Sequence, residues 1–220
     1  MTEMTKQADP SPRRAGAKRD PERVRQDILQ AATQEFAENG FNGGRIERIV
    51  QLTRTSKRMI YYYFTDKEGL WRAVLERAYT AVRAEEAELD LAGLPPLAAL
   101  ERLFVFTFDH HRRNADFIRL VMVENIRGAQ VLATSSTIRD LNRPAVDMVA
   151  DICRRGAADG TMRADLDPVE LHWHISALAF FNMSNRATFS AIFGPGLYDD
   201  AGQARLRDIL AAQILRGVAA

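Results

Sequence analysis

The sequence predicts an all-α protein in which a three-helix N-terminal domain is fused to a larger helical body. Apolar residues recur at three- and four-residue spacing through most of the chain after Asp20, which is the period of an amphipathic helix. No segment shows the apolar/polar alternation between turn residues that marks a half-buried strand. With 46% hydrophobic and 27% charged residues, the 220-residue chain has enough apolar material for a folded core.

Three helices with recognisable ends are expected in the first part of the chain. Asp20-Pro21 starts the first helix, because the Asp carboxylate can accept from free N–H groups and Pro suits the first turn. Asn39-Gly40 ends it, since both residues tolerate a left-handed conformation, and a loop is expected at 41–44. A short second helix then precedes a polar turn at 53–56, and a third helix covers Lys57 to Phe64.

The helical body follows without a flexible linker. Thr65 and Glu68 fit a capping box, in which each side chain satisfies a backbone donor of the other. This pattern predicts a long helix that begins at Thr65 and is interrupted at Pro95-Pro96. Helical spacing with Gly and Pro at the breaks then predicts Leu97 to His111, Phe117 to Ile126, Ser135 to Gly156, Asp167 to Phe193, and about Asp200 to Leu215.

By composition the chain divides into three parts. Residues 1–19 carry Pro, Gly and scattered charges without an apolar run, and are expected to form a disordered basic arm rather than a signal peptide. Residues 20–67 hold the three short helices, and 68–220 form the body. No stretch approaches about 20 uninterrupted apolar residues, and the single cysteine, Cys153, excludes a disulfide framework. A cytoplasmic protein with no membrane contact is therefore expected.

The formal net charge of +1 conceals an uneven distribution. Residues 1–80 contain 15 Lys and Arg against 11 Asp and Glu, whereas residues 81–220 contain 15 against 18. Between Phe41 and Lys67 alone, six basic residues face two acidic ones. A basic patch on a small helical unit favours a nucleic-acid partner.

The second and third helices, joined by a tight turn, describe a helix-turn-helix, whose second helix usually enters the major groove of double-stranded DNA. Three consecutive tyrosines on a helix fan over about 200°, so at least one must face outward. The alternative interpretation is a small bundle whose tyrosines only pack. Hydroxyl, basic and aromatic groups suited to phosphates and base edges give the candidate DNA-binding set: Arg45, Thr55, Ser56, Lys57, Arg58, Tyr61, Tyr62, Tyr63 and Lys67.

Between residues 28 and 75 the chain carries a series of short motifs: Phe36, Gly40-Phe41, Ile49, Ser56-Lys57, the run Ile60 to Phe64, and the run Lys67 to Leu70. With these motifs the segment resembles the DNA-binding domain of the TetR family of transcriptional regulators. Two positions depart from the family pattern, because Arg54 replaces a turn glycine and Gly44 replaces a common Thr. The resemblance implies phosphate contacts from Tyr62, Tyr63 and Lys67, and base or near-base contacts from Arg45, Ser56, Lys57, Arg58 and Tyr62.

A single helix-turn-helix reads only a few base pairs, so specific binding needs a dimer on two half-sites. The segment Leu171 to Phe193 is apolar nearly all round, which indicates burial on more than one side. Together with Leu206 to Leu215 it can form a four-helix bundle across a two-fold axis. The family resemblance also implies a homodimer through the last two helices, and with it a repressor released from a palindromic operator by a small effector.

Polar residues within the apolar helices of the body need partners, either in another helix or subunit or in a bound ligand. Residues 117–128 and 177–186 are similar to regulators of pyrimidine and nicotinate catabolism within the TetR family. That similarity implies an aromatic acid or heterocycle as effector, with Arg119 or Arg186 available for a carboxylate. The candidate effector-binding residues are Phe117, Arg119, Val121, Glu124, Asn125, Trp173, Asn182, Asn185 and Arg186.

No catalytic motif is present in the sequence. It contains no Gly-x-Ser-x-Gly, no Walker loop and no His-Glu-x-x-His, and its histidines do not converge on one helical face. Neither an enzyme, nor a metal, nor a cofactor is therefore expected. Two other functions remain open: a DNA-binding protein without sequence preference or effector, and a helical enzyme with a pocket near Glu124 and His172.

Overall fold

The computed structural model describes residues 20–220, and the predicted basic arm at 1–19 lies outside the described residues. The predicted fold class is confirmed, because the described chain consists of α-helices and one 3₁₀ turn, Pro195–Tyr198, with no named strand. The helices are α1 (Pro21–Gly43), α2 (Ile46–Thr53), α3 (Lys57–Phe64), α4 (Lys67–Ala87), α5 (Pro96–Arg113), α6 (Ala115–Ile126), α7 (Ser136–Asp159), α8 (Pro168–Ser184), α9 (Arg186–Phe193) and α10 (Asp200–Val218).

The first three helices start and end largely as the sequence predicts. The Asp20 carboxylate accepts from the Glu22 N–H at 3.1 Å, and α3 covers Lys57–Phe64 as expected. The predicted loop at 41–44 is wrong. The predicted break at Gly40 is present, because its φ of 68° and ψ of 179° are not helical, but a short helical turn follows through Gly43 where a loop was expected.

The predicted capping box at the start of α4 is also wrong. Thr65 has a positive φ of 67° and closes α3, with its N–H bonded to the Tyr61 carbonyl. Asp66 caps α4 instead, accepting from the Gly69 N–H at 2.7 Å. A Cβ on Gly69 would lie 2.1 Å from the Phe64 carbonyl oxygen, so only glycine allows this close approach between the two helices.

Two apolar cores divide the molecule. The first gathers buried side chains of α1, α2, α3 and the first half of α4, together with Leu120 of α6, Val131 and Ile138. The second gathers those of α5, α7, α8 and α10, including Phe104, Phe108 and Ile175. The three-helix unit and the body therefore meet along α4 and α6.

The long helix predicted from Asp167 to Phe193 is two helices. Asp167 caps α8 as expected, accepting from the N–H groups of Val169 and Glu170. The chain breaks at Asn185, which serves as both the C-cap of α8 and the N-cap of α9. Within residues 20–220, none of the helices combines the length and apolar character needed to cross a membrane.

Candidate nucleic-acid interface

The turn between α2 and α3 depends on the backbone conformation of Arg54 and on the capping side chain of Ser56. Arg54 ends α2 with φ 51° and ψ 34°, so an arginine occupies the left-handed region that glycine occupies most easily. Ser56 then caps α3, its hydroxyl accepting from the Met59 N–H at 3.2 Å. Buried Ile46, Ile49 and Ile60 fix both helices to the first core. The pair has the arrangement of a helix-turn-helix.

Five cationic side chains of this unit are exposed: Arg45, Arg48, Arg54, Lys57 and Arg58. The ammonium of Lys57 donates to Glu47 at 2.8 Å, and this contact raises the pKa of Lys57 and lowers the pKa of Glu47. Because both side chains are well exposed, solvent and salt weaken the ion pair, and a phosphate can compete for the lysine. Arg48 was not among the predicted contacts, although it lies three residues after Arg45 on the same face of α2.

The three tyrosines of α3 face different environments, because consecutive residues of a helix point about 100° apart. Tyr62 is 77% exposed and Tyr61 is 36% exposed, whereas Tyr63 packs against the first core. The rings of Tyr62 and Tyr63 meet edge to face at 5.3 Å. Tyr63 is thereby a fixed support for Tyr62, which presents a large aromatic surface to solvent.

Lys67 is half-buried and Gly44 is buried, unlike the exposed cations of α2 and α3. Burial, followed by the charge of Arg127, lowers the pKa of Lys67, whose ammonium lies 3.4 Å from the Asn42 carbonyl oxygen and 4.9 Å from the centroid of the Phe41 ring. A Cβ on Gly44 would come within 2.5 Å of the Phe36 ring. The departure from the family pattern at residue 44 therefore allows the Phe36 ring to pack directly against the backbone.

A set of buried and partly buried contacts joins the three-helix unit to the body. Arg127, just after α6, places its guanidinium carbon 3.6 Å from the centroid of the Phe41 ring and donates to both oxygens of Glu68 at 2.9–3.0 Å. One turn earlier, Glu124 accepts a 2.8 Å hydrogen bond from the indole of Trp71 on α4. The end of α6 thus contacts both the helix-turn-helix unit and the helix that follows it.

The predicted effector-binding residues do not share one cavity. Phe117 lines a cavity of about 650 Å³ between α1, α4 and the α5–α6 corner, and Trp173 lines a second of about 480 Å³ between α8 and α10. Asn182 is buried and exchanges hydrogen bonds with Gln203. The others lie elsewhere: Arg119, Asn125 and Arg186 are exposed, Val121 and Asn185 are half-buried, and Glu124 is bonded within the core.

Exposed large apolar side chains lie on each of the helices α8, α9 and α10. Trp173, Ala177 and Phe181 follow one another at four-residue spacing along α8 and line the 480 Å³ cavity, with Trp173 65% exposed. Ile209 of α10, one turn before the lining residue Gln213, is also exposed. Contiguous apolar surface of this kind marks an interaction site.

A helix-turn-helix with an exposed basic and aromatic recognition helix, joined rigidly to a helical body, defines a DNA-binding regulator. Comparison with protein families agrees with this class. The family model described as bacterial regulatory proteins, tetR family, matches residues 28–74, and that described as the tetracyclin repressor-like C-terminal domain matches residues 96–214. The chain belongs to the TetR family of transcriptional regulators, which confirms the family predicted from the sequence.

Two curated relatives and one solved structure illustrate the relationship. The chain is 35% identical over 197 residues to the HTH-type transcriptional repressor NicS of Pseudomonas putida, covering 90% of this chain and 93% of NicS. It is 29% identical to the regulator RutR of Escherichia coli, covering 79% and 80% of the two chains. The putative transcriptional regulator SCO4942 of Streptomyces coelicolor has a similar structure, with a TM-score of 0.67, 28% identity, and coverage of 89% and 98%.

Proposed function

We propose that the protein is a homodimeric repressor that binds a palindromic operator through α3 and is released from it by a small-molecule effector. The observation that carries the proposal is the exposed surface of α2 and α3, where five cations and two tyrosines face solvent and only Glu47 and Asp66 oppose them between Phe41 and Lys67. Such a surface suits phosphates and base edges together.

The exposure of each side chain indicates its role in DNA binding. The hydroxyl of exposed Tyr62 can hydrogen-bond to a phosphate oxygen, and its ring can pack on a thymine methyl group. Half-buried Tyr63 holds the ring of Tyr62 in place. Lys57 and Arg58, in the first turn of α3, are placed where the N-terminal residues of a recognition helix contact bases. Lys67, whose ammonium lies next to the Asn42 carbonyl, adds a further positive charge to this part of the molecule.

The proposed dimer forms through α8 and α10. Trp173, Ala177 and Phe181 of α8 line one side of a groove, and Gln213, Ile214 and Val218 of α10 line the other. The same surface of a second copy can pack against this groove across a two-fold axis. A second copy is also what a regulator on a palindrome requires, because two recognition helices must meet two half-sites.

Release by an effector depends on the rigid connection between the two units. The contacts of Arg127 with Phe41 and Glu68, and of Glu124 with Trp71, mean that a shift of α6 cannot leave the start of α4 unmoved. A ligand that prefers one position of α6 would therefore change the separation of the two recognition helices.

A gel-shift experiment with DNA from upstream of the gene tests the proposal. The wild-type protein is expected to shift this DNA in the presence of excess unrelated duplex, and the double variant Lys57→Ala, Tyr62→Ala is expected to lose the shift. Arg102→Ala, at an exposed arginine of α5, is the matched control for loss of charge. Equal competition by unrelated duplex would instead support DNA binding without sequence preference.

A further inference from the structure

The interior of the body contains polar atoms that the sequence analysis did not assign and that have no partner in the described part of the chain. His110 and His111 on α5 are 2% and 7% exposed, and Arg83 of α4 is near enough for its charge to lower the pKa of both. The Nδ1 atoms of both histidines and the Nε of Arg83 are buried without a hydrogen bond among residues 20–220. Native proteins rarely leave three such atoms together, because each loses its hydration on folding.

Aromatic rings surround these nitrogens. Phe117 is the centre of the group, with its ring centroid 5.4 Å from Tyr79, 6.0 Å from His110 and 5.9 Å from His111. Phe106 lies 5.7 Å from His110, and Phe180 lies 6.4 Å from His111. The unpaired nitrogens are therefore placed within flat apolar surfaces, an arrangement suited to a planar ring with polar substituents.

The charges of the group are balanced. Burial lowers the pKa of His110 and lowers the pKa of His111 to about 4, so both imidazoles are neutral at pH 7. The Arg83 guanidinium is paired with the carboxylate of Glu86. The neutral imidazole of His110 can donate or accept one hydrogen bond at its Nδ1, and His111 already has the backbone of Ala179 as one hydrogen-bond partner. Because the Nε of Arg83 only donates, the complementary ligand must carry an acceptor.

The 650 Å³ cavity meets this group at His110 and Phe117. Arg83 and His111 are not part of its wall, so a ligand that reaches them must enter past the Phe117 ring. His110 and Phe117 belong both to its wall and to the aromatic group, and Ala78, Val82 and Leu120 supply apolar lining. Gln34 of α1 and the charged residues Arg77, Glu85, Arg113 and Asp116 also line it. The cavity is large enough for a small organic molecule, and a molecule within it would touch the three-helix unit and the body at once.

We propose that Arg83, His110 and His111 form the polar part of a binding site for a small planar ring compound that carries an exocyclic oxygen acceptor, with Phe117 stacking against the ring. The inference rests on the proposed function only in identifying this compound with the effector. Binding of the compound to the purified protein does not depend on DNA. The site is distinct from Arg119 and Arg186, which the sequence suggested for a carboxylate and which are exposed.

Isothermal titration calorimetry of the full chain with two probes tests the site. Benzamide carries a neutral carbonyl acceptor and benzoate an anionic one, while cyclohexanecarboxamide keeps the carbonyl without the flat ring. We expect saturable binding of benzamide, benzoate or both at millimolar or lower concentration, and at least tenfold weaker binding by the cyclohexane analogue. Absence of binding by both aromatic probes, or equal binding of the analogue, overturns the proposal.

Two variants locate the binding. His111→Phe keeps a flat ring and removes an unpaired nitrogen, so it is expected to weaken binding at least tenfold without lowering the Tm of the free protein. Arg83→Met combined with Glu86→Gln removes the guanidinium without leaving a buried charge, and is expected to do the same. Arg102→Met, at an exposed arginine of α5, is the matched control for loss of a guanidinium. Unchanged binding in both site variants overturns the assignment, whereas loss of operator binding with intact ligand binding contradicts only the proposed function.

Discussion

The indole Nε1 of Trp71 donates a 2.8 Å hydrogen bond to Oε2 of Glu124, joining α4 to α6 across 53 residues of sequence. Both side chains are fully buried. The other carboxylate oxygen accepts from the backbone N–H of Val131 at 2.6 Å and of Leu132 at 3.3 Å. One carboxylate therefore holds the end of α6, the segment after it and the start of α4 in a fixed arrangement.

Replacement of Glu124 by Gln is expected to lower the free energy of unfolding by about 2–4 kcal/mol. The amide NH₂ would face either the indole N–H or the backbone N–H groups, so one buried donor must lose its acceptor. Urea denaturation at fixed protein concentration measures the change. Glu101→Gln, at an exposed position on α5, is the control, and equal stability of the two variants would contradict a structural role for Glu124.

Arg54 offers a test of backbone strain in the helix-turn-helix. Its φ of 51° disfavours any residue with a Cβ, so Arg54→Gly is expected to stabilise the protein by about 1 kcal/mol. Arg54→Ala separates the causes, because alanine removes the arginine side chain and its charge but keeps the Cβ. A stabilisation by Ala as large as that by Gly would refute the explanation.

Local chemistry made the helix-turn-helix predictable from the sequence. Ser56 as a cap and the apolar positions Ile60 and Phe64 fix α3 within a short stretch of chain, and the structure has the same bounds. The family motifs in the same stretch also implied the fold of the helical body that follows. The break at Asn185 was missed because apolar residues resume at helical spacing after the polar stretch at 184–186, and neither Gly nor Pro marks it.

The interior of the body could not be predicted in the same way. Glu124 was expected to meet a ligand, but its partner is Trp71, and no local pattern indicates a hydrogen bond between residues so far apart. His110 and His111 were considered only as metal ligands, whereas their surroundings come from α4, α6 and α8. Sequence spacing describes one helix at a time, and such sites arise where several helices meet.

Glu47 competes with DNA for the ammonium of Lys57. Glu47→Gln removes one negative charge from α2 and replaces the ion pair with a weaker neutral acceptor, so operator affinity is expected to rise about twofold to tenfold at low salt. Fluorescence anisotropy over a series of salt concentrations measures the change. Glu101→Gln serves again as the control for a distant charge, and an unchanged or weaker affinity for Glu47→Gln would argue against contact between Lys57 and DNA.

Trp173 tests the dimer surface. Trp173→Asp places a charge in the groove between α8 and α10, where a second copy would bury it unpaired, so the protein is expected to become monomeric at micromolar concentration. Light scattering after size exclusion gives the mass. Ile126→Asp is the matched control, because Ile126 is 84% exposed but lies on α6. A Trp173→Asp variant that remains dimeric would place the interface elsewhere.

The stability of the protein is expected to depend on pH through His111. Its pKa in the folded protein is about 4, mainly because of burial, whereas an exposed histidine titrates near 6.5. As pH falls from 6.5 toward 4, the unfolded chain binds a proton that the folded chain does not, so the contribution is present above 6.5 and is lost on acidification. From pH 7.5 to pH 5 this group alone lowers the free energy of unfolding by about 2 kcal/mol. His111→Phe removes the group, so its urea-denaturation profile should be flatter than that of the wild-type protein by this amount, because the carboxylates that also titrate are common to both. Parallel profiles for the two proteins would mean that His111 gains a proton in the folded state as easily as in the unfolded chain.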